Sequence, residues 1–224
     1  MTEPTTDIEG EAPSGISRRG FFLAGGAVAA GAVLAACSSD SKSTTTSGSS
    51  GSTKSTSAGS SSSANAAGDG TIAMFAAGLE LLAVQTYKAG LDAATAGKLG
   101  AVPPAVAEFA TTAMSHHQSA SDALAKAGGG GTPQVPAAVK TTVDTAFAKV
   151  TDIAGLAGLA LELELIAAAT YLDVLPKLQS KAAVDLVGSI LPIERQHAAI
   201  LTFALGQYPV PDTFATTEKS VAPK

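Results

Sequence analysis

Leu79-Glu80-Leu81 runs on to Thr86-Tyr87, and Leu163-Glu164-Leu165 runs on to Thr170-Tyr171. In each segment one carboxylate precedes a tyrosine by seven residues. A third stretch carries Glu194-Arg195-Gln196-His197, and a fourth carries His116-His117. Carboxylates and imidazoles are the ligands that iron, manganese and zinc take. A carboxylate inside an apolar helix is costly unless a cation, a proton or a hydrogen-bond donor compensates it. Two of them in register, accompanied by Glu-x-x-His, point to a metal site between helices.

Helical spacing sorts the candidates. Seven residues turn a helix by about 700°, so Glu80 shares a face with Tyr87, and Glu164 shares one with Tyr171. Glu194 and His197, three apart, lie side by side. Glu162 is turned about 200° from Glu164, and Glu108 faces away from His117, so neither is a good ligand. His116 is about 100° round from His117 and reads as a surface or boundary residue. Tyr87 and Tyr171 read as hydrogen-bond partners behind the ligands or as core aromatics. The bland reading of the carboxylates is protonation, or escape to a bundle end. Three of them facing one another without a cation would raise each other's pKa. Glu80, Glu164, Glu194, His197 and His117 should therefore converge within about 5 Å if they share an ion.

The elements that must position these groups are helical throughout. Thr71 to Ala96 forms the first helix, ending near Gly97. The second starts at Pro103-Pro104, where proline is tolerated, and Gly128 to Gly131 stop it. A helical pattern resumes at Ala137 and runs to about Leu178, with Gly155 and Gly158 as break points, so the third helix proper starts near Asp152. The fourth runs from Ser180 to Leu205, with Pro192 as a point of kinking. No stretch alternates apolar and polar residues as a strand would. The expected fold is all-α, an antiparallel four-helix bundle over 71–206 with a longer crossover between the second and third helices. Residues 207–224 read as an exposed tail.

A carboxylate on the first and third helices, with Glu-x-x-His on the fourth, resembles the ferritin-like superfamily. The Leu-Glu-Leu helices and Glu194-Arg195-Gln196-His197-Ala198-Ala199 resemble the branch that includes secreted bacterial ferritin-like proteins and plant desiccation-related proteins. The resemblance covers about Thr71 to Gly206. It implies a site of six side chains holding two iron or manganese ions and supporting oxygen chemistry. Glu80, Glu164, Glu194 and His197 match that set. On the second helix His117 stands where Glu is expected and Ala120 where His is expected. The residues left suit one ion of iron, manganese or zinc better than a pair. By analogy an enzyme of this kind would be a ferroxidase-type oxidoreductase. The competing reading is a bundle that has lost its metal and serves a structural, stress-related or partner-binding role, without catalysis.

The N-terminal third reads as an address. Arg18-Arg19-Gly20-Phe21-Phe22-Leu23 resembles a twin-arginine export signal, with Ala24 where Lys is usual. The short apolar run ending in Leu34-Ala35-Ala36-Cys37 resembles a bacterial lipobox, in which the cysteine is lipidated. Residues 1–37 are expected to be this signal. Residues 38–70, nearly all Ser, Thr, Gly and Ala, cannot bury enough apolar surface to order themselves. They read as a disordered linker with a reach of roughly 30 Å. The expected location is the outer side of the bacterial cytoplasmic membrane or the cell envelope, with the membrane as partner through a lipid on Cys37.

Composition bounds the rest. The chain has 224 residues, one cysteine, no tryptophan and a net charge of −5. An internal disulfide is impossible. Without residues 1–36 there remain 12 basic and 15 acidic side chains, a net charge of −3. No basic stripe with interleaved aromatics is present, so nucleic-acid binding has no support. A closed storage cage is hard to reconcile with a membrane tether.

Overall fold

In the computed structural model, residues 59–223 are described, with side chains from Gly68 on. The twin-arginine segment with Arg18 and Arg19, Cys37 and residues 38–58 of the linker lie outside them. The described chain is all-α, with five helices and one short 3-10 turn: α1 (Gly59–Thr95), α2 (Pro104–Ala127), α3 (Ala137–Phe147), α4 (Ile153–Val174), the turn Leu175–Lys177, and α5 (Lys181–Ala204). Among the described residues there is no strand.

The boundaries follow local chemistry. Pro103 caps α2 and Pro104 takes its first position, where the missing N–H has no helical partner to lose. Asp152 caps α4 by accepting the Gly155 N–H at 2.7 Å, and Ser180 caps α5 by accepting the Ala183 N–H at 3.2 Å. Gly206 follows α5 with φ 78°, a left-handed conformation that glycine adopts freely. α5 runs through Pro192 as one element. Pro176 falls within the tighter turn that closes α4.

α1 and α2 pack antiparallel. Ser121 donates to the Ala77 carbonyl at 2.9 Å, and Gly70 lies beside Gly128. α4 runs antiparallel to α1, with Gly90 near the end of α1 facing Leu156 near the start of α4. The core is mostly small aliphatic. At one end Ala73, Ala76, Ala77, Leu124, Val174, Val187 and Ile190 pack around Tyr171. Towards the other, Tyr87, Ala113, Ala160 and Leu201 pack together. Glu80, His117, Glu164, Glu194 and His197, all buried, lie between these two clusters in each helix's sequence.

Three expectations need correction. The segment read as linker up to residue 70 is helical from Gly59, and its Asp69 is buried. That carboxylate accepts the Gln179 N–H at 2.9 Å and the Ser180 N–H at 2.8 Å, tying the base of α1 to the entry of α5. The third long helix starts after the Asp152 cap, as its spacing predicts, but the break falls between Phe147 and Asp152 and not at Gly155 or Gly158, and Ala137–Phe147 is a fifth helix of its own. The tail is not exposed to its end. Lys219 pairs with Glu162 at 2.6 Å, Ser220 donates to Asp173 at 2.8 Å, and the Val221 N–H donates to Thr170 at 3.1 Å. These bonds lay the last residues along α4.

The crossover holds the site from outside. Val143 of α3 packs with Leu82 and Leu163, neighbours of the two Leu-Glu-Leu carboxylates. Just before α3 the chain passes so close to α1 that a Cβ at Gly78 would lie 2.0 Å from the Gln134 carbonyl oxygen. Gly78→Ala is therefore expected to cost about 1–3 kcal/mol through forced backbone displacement. Gly158→Ala, where a Cβ meets nothing within 4 Å, should instead gain about 0.5–1 kcal/mol in helix propensity. Urea midpoints of the two variants test the contrast; equal effects would mean that the crossover contact is loose.

Candidate metal centre

α1, α2, α4 and α5 each send side chains into one buried region. Glu80, His117, Glu164, Glu194 and His197 are all buried, none more than 4 % exposed. One nitrogen or oxygen from each of His117, Glu164, Glu194 and His197 lies within 4.8 Å of the others. Glu80 is outside that group of four, but its Oε2 is 2.7 Å from His117 Nδ1. The five candidates thus form one network, with four able to face a single point and Glu80 behind His117.

His117 is its hub. Nδ1 faces Glu80 and Nε2 faces Glu164 Oε1 at 3.2 Å. Both ring nitrogens can donate only in the imidazolium. Burial alone would lower the His117 pKa, but hydrogen bonds to Glu164 and Glu80 outweigh it and hold the value well above the ordinary 6.5. Glu164 responds in the opposite sense. Burial would raise it, yet the hydrogen bonds from His117 and His197 hold it below the ordinary carboxylate range. Glu194 lacks such help. Its Oε1 is 3.9 Å from His117 Nδ1, and its Oε2 is buried with no hydrogen-bond partner. Burial, then the nearby Glu80 carboxylate, push its pKa well up.

The two tyrosines cross over. The expectation from spacing sets each tyrosine on the face of its own helix's carboxylate, and the side chains bond across to the other one. Tyr87 of α1 donates to Glu164 Oε1 at 2.5 Å, and Tyr171 of α4 donates to Glu80 Oε1. Burial first, then the partner carboxylate, push both phenols well above their ordinary value. They remain O–H donors.

His116 reaches the site from its rim. It is exposed, but its Nδ1 lies 3.0 Å from His197 Nε2, and the two rings stack at 5.3 Å and 11°. His197 Nδ1 in turn faces Glu164 Oε2 at 3.2 Å. Burial and the neighbouring His197 and His117 lower the His116 pKa. Helical angle alone turned His116 aside; the adjacent His-His pair was the available sign that one might line the site and the other edge it. Phe109 closes that side, its ring edge-on to His197 at 5.9 Å. Ala120 contributes only to packing near the Tyr171 cluster, and Glu108 is exposed.

The donor set fits a metal ion. Two imidazoles and two carboxylates converge, and the orphaned Glu194 Oε2 is the kind of buried polar atom that an ion would satisfy. His117, Glu164, Glu194 and His197 are the residues that would hold such an ion.

A bundle whose long crossover joins two helical pairs, with a buried carboxylate and histidine cluster at its middle, defines the ferritin-like class. Residues 68–207 match the ferritin-like domain family, and the chain belongs to it. No curated protein and no solved structure matches the chain.

The network sets a pH dependence for the metal-free domain. His117's raised value contributes stability that is complete below pH 6.5, its ordinary value, and is lost as pH rises through the folded value. Glu194's raised value acts in the same sense above 4.5. Glu164's lowered value contributes stability present above 4.5 and lost as pH falls through its folded value. Stability should therefore be greatest in the mildly acidic range and decline towards alkaline pH. Urea midpoints across pH measure this; His117→Gln should flatten the alkaline limb, and an unchanged slope would contradict the imidazolium assignment.

Proposed function

We propose that this chain is an exported, membrane-tethered ferritin-like protein that binds one iron, manganese or zinc ion through His117, Glu164, Glu194 and His197. The observation that carries the reading is the Glu194 carboxylate, buried beside two histidines and a second carboxylate with one oxygen unpaired. Leaving that oxygen unsatisfied is costly. An ion would remove the cost and displace protons from the cluster, as metal binding does where ligands must be deprotonated. Bound iron would bring redox chemistry with dioxygen, of the ferroxidase type. The chain's own residues would supply the setting. Tyr87 fixes one oxygen of Glu164, His116 steadies the outer nitrogen of His197, and Phe109 keeps water from that side.

A second reading rests on His117. An imidazolium between Glu80 and Glu164 supplies the positive charge that a metal would otherwise provide. A bundle neutralised in this way needs no ion and would serve as a metal-free structural or partner-binding surface protein.

Metal analysis separates the two. The domain, expressed in the cytoplasm and loaded with Fe(II), Mn(II) or Zn(II), should retain about one ion per chain, and Glu194→Ala should abolish retention. Negligible metal in the wild type would leave the second reading. In that case Glu164→Gln should lower stability by about 3–5 kcal/mol, because it removes one partner of a buried ion pair and leaves the His117 imidazolium short of an anion.

The tether is supported by the sequence around Arg18, Arg19 and Cys37. Cys37→Ser should release the protein from the membrane fraction and abolish labelling by a radioactive fatty acid. Replacing Arg18 and Arg19 by lysine should retain the precursor in the cytoplasm. Cell fractionation reads both outcomes, and membrane attachment that survived Cys37→Ser would remove the lipid anchor from the proposal.

A further inference from the structure

Where the C-terminal segment lies along α4 it does not close fully onto the bundle. A pocket of about 160 Å3 remains between that segment, α4 and α5. This is room for about five water molecules at roughly 30 Å3 each. A molecule of about six non-hydrogen atoms takes up similar space. α4 contributes Leu165, Ala168 and Ala169, so one wall is apolar and made mostly of small residues. α5 contributes Arg195, and the C-terminal segment contributes Asp212, Thr216 and Glu218. None of these side chains belongs to the buried histidine and carboxylate cluster.

The charges on the wall are uncommitted. Elsewhere on the surface Lys88, Lys140, Lys177 and Lys181 each pair with an aspartate one turn away. Lys219, which also lines the pocket, is held by both oxygens of Glu162 at 2.6 and 2.7 Å. Arg195 is half-buried, and among the described residues it takes part in no hydrogen bond or ion pair. Asp212 and Glu218 take part in none either. A guanidinium and two carboxylates thus line one small space without coming within ion-pair distance of each other. The free Thr216 hydroxyl lies on the same wall.

We infer that this pocket binds a small zwitterionic amino acid, its carboxylate on Arg195 and its ammonium on Asp212 and Glu218. A guanidinium takes a carboxylate through two parallel hydrogen bonds. An ammonium has three donors, and two carboxylates and the Thr216 hydroxyl can accept them. An α-amino acid carries its two charges a few ångströms apart, so one molecule can bridge groups that do not reach each other. Its side chain would meet Leu165, Ala168, Ala169 and Ala215, which favours a small apolar one. A simple carboxylate would answer Arg195 but meet two like charges, and a simple amine would leave Arg195 unanswered.

Equilibrium dialysis of the purified full chain against radiolabelled L-alanine tests this. One alanine per chain is expected, with Kd below about 1 mM, within reach of a ligand of about six non-hydrogen atoms. Acetate and ethylamine should each compete at least about tenfold more weakly, because each carries only one of the two charges. Arg195→Gln should weaken binding about tenfold or more. Ala215→Leu, on the exposed C-terminal segment, fills the pocket without touching its charges and should weaken binding by a similar factor. Circular dichroism melts check that both variants fold. Lys88→Gln, on the exposed face of α1, is the control and should leave binding unchanged. Glycerophosphoethanolamine, which carries the same two charges as a lipid headgroup does, should compete poorly. The assignment is overturned by no saturable binding of L-alanine, by acetate, ethylamine or glycerophosphoethanolamine competing as well as L-alanine, by wild-type affinity in folded Arg195→Gln or Ala215→Leu, or by loss of binding in Lys88→Gln.

Discussion

The bundle depends on how it keeps carboxylates out of water. Glu80, Glu164 and Glu194 lie in a core of alanine and leucine, where an isolated anion costs several kcal/mol. His117 makes the arrangement tenable by facing two of them at once, and the crossed tyrosines and His197 supply the remaining donors. Glu194 is left over, and a proton or an ion must complete it. The rest of the architecture follows from this constraint. Four helices must present one polar face each to the same small volume, and the crossover must seal the α1–α4 seam around it.

The same network can be written in two chemical languages. In one, protons on His117 and Glu194 balance the charge and the cluster is a set of hydrogen bonds. In the other, a cation takes the place of those protons and the same atoms become ligands. Equilibria of this kind are common where ligands must be deprotonated to bind. His117 shifts the balance towards the protonic form, because it places a potential cation between Glu80 and Glu164. Glu194 shifts it back.

Much of the fold was legible because long apolar helices with strong stop signals leave little choice. Gly128 to Gly131, the Asp152 cap and Gly206 end or begin elements where their chemistry requires it. The candidate ligands were legible because buried charge in an apolar stretch is conspicuous. What was not legible depended on tertiary contact. Asp69 sits in a low-complexity run, and only its bonds to the entry of α5 bring it into the fold. The last residues read as polar tail, and their partners on α4 are about fifty residues away. His116 was set aside on helical angle, which does not register that an exposed ring can lean onto a buried one. The crossing of the tyrosines was hidden for a related reason, since spacing within a helix says which face a residue takes and nothing about whose face it meets.

That crossing has a consequence for how the chain behaves as a whole. The hydroxyl that satisfies Glu80 belongs to α4, and the one that satisfies Glu164 belongs to α1, partners 91 and 77 residues apart. Neither helical hairpin carries a full set of donors for its own buried acid. Half of the molecule would hold an anion in oil with too few hands upon it, and it gains those hands only when the other half docks. The exchange makes the domain indivisible, a single cooperative unit in which assembly of the two hairpins and neutralisation of the interior are one event.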